Sequence, residues 1–157
     1  MNDDLVTLIL KLAKRRDQRI LHEFQRLIYQ PFHLRFHPLV FELLPPKESG
    51  VEFYATRQAY RLIAPLMARF PQQGNLPFPR ALARLNQQIG QSSITRKLLI
   101  IRQSPKLHFA ESSILYLTTQ LKQRNIPINW YQMATDVKYW NASVAERWLE
   151  EFYVSHR

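Results

Sequence analysis

The chain reads as an all-α protein, a helical bundle in two small lobes. Apolar residues recur at helical spacing along most of the 157 residues, while only three glycines occur and no sustained period-two alternation supports a strand. A dense run of Pro, Gly and Asn at 71–79 interrupts the helical pattern. The expected organisation is an N-terminal helical lobe over 1–70, a linker over 71–79 and a C-terminal helical bundle over 80–157.

In chain order, Asp3 and Asp4 can cap a first helix whose Leu5, Leu8, Ile9 and Leu12 follow i, i+3, i+4, i+7 spacing, ending near Arg15 and Arg16. A second begins around Asp17, puts Ile20, Leu21, Phe24, Leu27 and Ile28 on one face, and stops before Pro31. Residues 32–44 contain Pro38 and close on Pro45-Pro46, which cannot continue a helix, so this region is the least regular. Helical spacing resumes through Phe53, Tyr54, Tyr60, Leu62, Ile63, Met67 and Phe70, with Pro65 kinking the helix or marking its early turns. Past the linker, helices are expected over 80–89, 94–102 and 109–124, the last stopped by Asn125-Ile126-Pro127. Asn129 caps a helix over 130–140, and Ser143 with Glu146 spells a capping box for a final helix bearing Val144, Trp148, Leu149 and Phe152.

With 46% hydrophobic and 12% aromatic residues the chain has apolar surface enough to fold. Cysteine is absent, which excludes disulfides, thiolate metal sites and a cysteine nucleophile, and fits a reducing cytoplasm. The start, Met1-Asn2-Asp3-Asp4, is acidic where an export signal needs positive charge, and no stretch approaches the roughly 20 apolar residues that span a bilayer. A soluble, cytoplasmic protein without membrane contact is expected.

Lysine and arginine number 22 against 12 acids, a formal charge of +10 that calls for a polyanion. The excess is concentrated: residues 53–110 contain no acid, yet carry Arg57, Arg61, Arg69, Arg80, Arg84, Arg96, Lys97, Arg102 and Lys106. Arg80 and Arg84 lie one helical turn apart, Arg96 and Lys97 open the next helix, and Arg102 and Lys106 lie near its end. Lining one groove, they would neutralise phosphates without reading bases. The aromatics Trp130, Tyr131, Tyr139, Trp140 and Trp148 fall at helical spacings that fit the core better than base stacking.

Catalytic patterns are missing. No glycine-flanked serine elbow occurs, the five histidines are scattered, and His33 and His37, although four apart, enclose no Glu and adjoin Pro38. The carboxylate pairs Asp3-Asp4 and Glu150-Glu151 fit helix capping and a solvated face, and the glycines are isolated, so no phosphate-cradling loop exists. No enzyme activity, metal or cofactor is expected.

From Tyr60-Arg61-Leu62-Ile63, through Arg80-Ala81-Leu82-Ala83 and Ile101-Arg102, to Ile128-Asn129-Trp130, Tyr139-Trp140 and Trp148-Leu149-Glu150-Glu151-Phe152, the chain resembles the CasB family, the small subunits of the type I-E CRISPR Cascade complex. Residues 17–26 also resemble that family's early helix. The resemblance implies a non-catalytic, two-lobed helical subunit that holds the target and displaced DNA strands and stabilises the R-loop in antiviral defence. Its implied partners are DNA, the crRNA-bound Cascade subunits and a second copy of itself, head to tail. R-loop formation is close to energetic balance, so backbone contacts can tip it. Arg26, Arg96 and Arg102 match the family's basic positions best. The chain departs at Asn141-Ala142-Ser143 and Thr118-Thr119, where the family can carry basic residues, and Lys106, Lys122, Arg124 and Lys138 are the candidates to compensate. The alternative is a stand-alone helical DNA- or RNA-binding regulator, whose recognition helix would be 80–90 with Asn86, Gln87 and Gln88 aimed at base edges.

Overall fold

A computed structural model describes residues 3–90 and 92–156. Met1 and Asn2, read above as part of an acidic start, lie outside the described residues. The described residues form nine α-helices and one short strand, an all-α fold. Their contacts divide into two compact units, one ending at Gln72 and the other beginning at Gln73.

The first unit is built on α1 (Asp4–Lys14), α2 (Gln18–Arg26) and α4 (Val51–Arg69), which pack on one another. Asp3 caps α1, its carboxylate accepting from the amides of Leu5 at 3.0 Å and Val6 at 3.1 Å. The buried face of α1 is Leu5, Val6, Ile9 and Leu12; Leu8, expected in the core, is only half-buried. Ile20 of α2 is likewise half-buried, while Leu21 and Phe24 are enclosed, and a 3-10 turn over Leu27–Tyr29 continues the helix toward Pro31.

Residues 32–49 form the short helix α3 (Pro38–Phe41) between 3-10 turns at Phe32–Leu34 and Lys47–Ser49. Arg35 ties this segment down from inside: 7% exposed, it donates from Nε to the Gln30 carbonyl at 2.7 Å and from a terminal nitrogen to the Ile28 carbonyl at 2.8 Å. Both carbonyls lie past the end of α2, where no helical donor reaches them. Pro65 falls in the last two turns of α4, which continues to Arg69 and buries every residue from 62 to 68.

The second unit comprises α5 (Phe78–Ile89), α6 (Ser92–Arg102), α7 (Leu107–Gln123), α8 (Trp130–Lys138) and α9 (Ala142–His156). Residues 71–79, expected to be irregular, contain strand β1 (Gln73–Leu76) and open α5 at Phe78. Pro77 and Pro79 tolerate this because the first helical positions have no intrahelical use for an N–H. Gly90, at φ +59°, terminates α5 in the left-handed region. β1 runs parallel to the chain at Ile128, and the Asn129 amide donates to the Leu76 carbonyl at 2.8 Å. At Gly74 the approach is so close that a Cβ would sit 2.5 Å from the Pro127 carbonyl oxygen.

Helix α5 packs on α9, burying Phe78, Leu82 and Leu85, with the Phe78 and Trp148 rings 4.9 Å apart. The three tryptophans all belong to this core; the Trp140 and Trp148 rings meet at 5.2 Å. Asp136, 4% exposed, pins α8 to α9: it accepts from Trp148 Nε1 at 2.8 Å and Gln132 Nε2 at 2.9 Å, and bonds Arg147. Asn141, not the expected Ser143–Glu146 box, caps α9 by accepting from the Val144 amide at 3.0 Å. Glu146 is instead drawn away to Arg102.

Candidate nucleic-acid interface

The amphipathicity of α5 decides where its charges go. Phe78, Ala81, Leu82 and Leu85 are buried, which leaves Arg80, Arg84, Gln87 and Gln88 on the solvent side, the arginines one turn apart. At the C-terminal end of this face lies an open groove of about 570 Å³, lined by β1, Arg84, Gln88 and residues 124–127.

Arg124 is brought there by the way α7 ends. Asn125 takes φ 54°, and the Ile126 amide turns back to the Leu121 carbonyl at 2.9 Å, which stops the helix and seats Ile126 in the core. The pairing of β1 with Ile128 then sets residues 124–127 opposite Arg84. Neither Arg84 nor Arg124 makes an ion pair or side-chain hydrogen bond with a described residue. Two unpaired guanidinium groups among Asn75, Gln88 and Asn125, with no carboxylate in the lining, favour an anion.

The other predicted cations are dispersed. Arg96 is exposed on α6, but Lys97 turns inward, its Nζ 5.0 Å from the centre of the Tyr116 ring on α7. Arg102 Nε donates to Glu146 Oε2 at 2.7 Å, so its charge is already matched within the unit. Lys106 is the exposed residue preceding α7. Arg26 is exposed in the last turn of α2, in the first unit. Of the seven, the groove takes Arg84, with Arg80 one turn away along the same helix.

The two departures from the family pattern have structural uses. Thr118 is buried and its hydroxyl donates to the Ile114 carbonyl at 2.8 Å, so a cation there would enter the core. Asn141 is the cap of α9 described above. Among the four residues named as candidates to compensate, Arg124 lines the groove.

The histidine pair is no ligand set. His33 is exposed, whereas His37 Nδ1 accepts from the Leu39 amide at 3.2 Å, capping α3, and its Nε2–H donates to Glu23 at 2.7 Å. That hydrogen bond is the main cause holding the Glu23 carboxyl below its ordinary range. No group of three or more potential metal ligands occurs among the described residues. No described helix is long and apolar enough to cross a membrane.

A family model described as CRISPR-associated protein Cse2 matches residues 13–153, nearly the whole chain. The chain belongs to the Cse2 family. Cse2 proteins are the CasB small subunits of type I-E Cascade, the family that the sequence motifs resemble. Membership makes this chain a structural subunit of Cascade, assembled with other subunits of the complex. No curated protein and no solved structure matches it.

Proposed function

We propose that this Cse2 subunit holds the target and displaced strands of the opened DNA by their phosphates, without reading sequence, and so stabilises the R-loop in antiviral defence. It does so in the cytoplasm, without catalysis, beside a second copy of itself and the crRNA-bound subunits. The observation that carries the reading is the pair Arg84 and Arg124, unpaired and facing one groove, extended along α5 by Arg80.

Each phosphate neutralised releases condensed counterions, so affinity falls with salt by a slope of about 0.9 per contact on duplex and about 0.7 on single strands. Because R-loop exchange is nearly balanced, a few such contacts suffice to bias it. The polar lining side chains are Arg, Gln and Asn, beside Leu76, Ile126 and Pro127, at a groove formed by a helix end and a short strand, a shape that suits backbone contacts better than insertion into a major groove.

The test is binding of the purified subunit to labelled single- and double-stranded DNA of unrelated sequences over a salt series. Wild type should bind all sequences alike, and Arg84→Gln with Arg124→Gln should flatten the salt slope. A footprint confined to one sequence, lost in Gln87→Ala or Gln88→Ala, would instead establish the regulator reading.

A further inference from the structure

A second pair of arginines lies in the first unit, outside the groove and unassigned by the family resemblance. Arg57 and Arg61 stand one turn apart on α4, both half-buried, with their guanidinium carbons 5.8 Å and 5.5 Å from the centre of the Phe36 ring. One aromatic ring thus supports two like charges. A ring face attracts a cation through its quadrupole, which orients each guanidinium but neutralises neither.

No described residue of the unit forms an ion pair with either charge. The Nε atoms of Arg57 and Arg61 are buried without a hydrogen-bond partner, and neither residue has an ion pair with a described residue. Their terminal nitrogens are not among the buried unpaired atoms, and no hydrogen bond from them to a described residue occurs. Burial and the neighbouring Arg57 both disfavour the positive charge of Arg61 and lower its pKa. Glu52, five residues before Arg57, falls on a different face of α4. Two cations held on one ring, with no ion pair to a described acid, are arranged for an incoming oxyanion.

We infer that Arg57 and Arg61, held over Phe36, form a second nucleic-acid contact, a seat for one phosphodiester of a bound strand. The two non-bridging oxygens of a phosphodiester share one negative charge, and each guanidinium can take one of them. A polyanion is favoured over a lone acidic side chain because unpaired arginines occur in both units, at Arg57 and Arg61 and again at Arg84 and Arg124. A strand supplies a phosphate to each, and the formal charge of +10 needs several. This inference rests on nucleic acid being the partner, as proposed above.

The experiment compares wild type, an Arg57→Gln/Arg61→Gln variant and an Arg84→Gln/Arg124→Gln variant, using labelled single-stranded DNA between about 50 and 200 mM salt. Loss of its one phosphate contact should make the fall in affinity over that range about 2.6-fold shallower for the Arg57/Arg61 variant, and loss of two contacts about sevenfold shallower for the Arg84/Arg124 variant. The midpoint of thermal unfolding should not drop in the Arg57/Arg61 variant, since a like-charge contact is relieved. If it does drop, Arg57→Lys/Arg61→Lys decides: charge kept with slope kept supports the seat, and charge kept with slope lost overturns it. A folded Arg57/Arg61 variant with wild-type slope overturns the inference. In that case a flattened Arg84/Arg124 slope leaves the proposed function standing, and the converse pattern places binding at Arg57 and Arg61 instead of the groove. Wild-type DNA binding combined with failure to co-purify with the other Cascade subunits would mean that the arginines take a partner's carboxylate, and it too overturns the inference.

Discussion

Replacing Asp136 by alanine tests how the second unit is held together. Its carboxylate is 4% exposed and accepts from Trp148 Nε1 at 2.8 Å and Gln132 Nε2 at 2.9 Å. Trp148 is wholly enclosed, so in Asp136→Ala its indole N–H stays buried with no acceptor, a loss of about 1–3 kcal/mol. Gln132 and Arg147 are reachable by water and can rehydrate, which keeps the total below the roughly 3–5 kcal/mol of a fully buried broken ion pair. The expected cost is about 3 kcal/mol. In a urea titration with m of about 2 kcal/mol per molar, the midpoint should fall by about 1.5 M with m unchanged. Asp136→Ala/Trp148→Phe removes donor and acceptor together and should recover part of the loss. A cost under about 1 kcal/mol for the single variant would refute the role of Asp136 as the pin of α8 to α9. At temperatures where the variant stays folded its DNA affinity should be unchanged, because Asp136 lies in the core and not on the α5 face.

Three further outcomes are expected. Gly74→Ala should destabilise the protein by about 1–3 kcal/mol, read by denaturation, and weaken DNA binding, because the added Cβ would meet the Pro127 backbone that forms the groove wall. Burial, followed by the charge of Asp3, raises the pKa of Tyr60 above its ordinary 10.0, so the folded state retains that proton longer than the unfolded chain does. Its contribution is therefore complete below about pH 10 and is lost as pH rises beyond it, and alkaline melting should be shallower in Tyr60→Phe. Arg102→Gln should reduce the salt slope of DNA binding less than Arg84→Gln does, because Glu146 already matches the Arg102 charge; equal losses would contradict that pairing.

Helix positions were legible wherever one apolar face decides them, as at Leu5, Ile9 and Leu12, or at Trp148 and Phe152. Leu8 and Val6 exchanged places because the buried arc of α1 is set by α2 and α4, which periodicity within α1 does not encode. Arg35 is buried although it is a cation, since the carbonyls stranded past α2 need a donor and a long guanidinium reaches two of them. The clue was its position just beyond a helix stopped by Pro31.

The site was half legible. Arg80 and Arg84 share a face by their spacing, but the meeting of Arg84 with Arg124 depends on a four-residue strand paired at Ile128, too short to leave an alternation in sequence. Arg102 and Glu146 lie 44 positions apart and form a hydrogen bond that charge counting cannot foresee. Arg57 and Arg61 are visible in sequence as part of an acid-free run, whereas the ring that gathers them comes from a separate, irregular segment whose approach no local pattern encodes.

The central claim is that unpaired arginines of this subunit stabilise the opened DNA. Its most direct test is R-loop lifetime in Cascade reconstituted with wild type, with Arg84→Gln/Arg124→Gln, or without the subunit, at fixed salt on a matched target. The variant should assemble normally, with an R-loop lifetime that falls toward that of Cascade lacking the subunit. A fully assembled variant complex with the wild-type lifetime would contradict it.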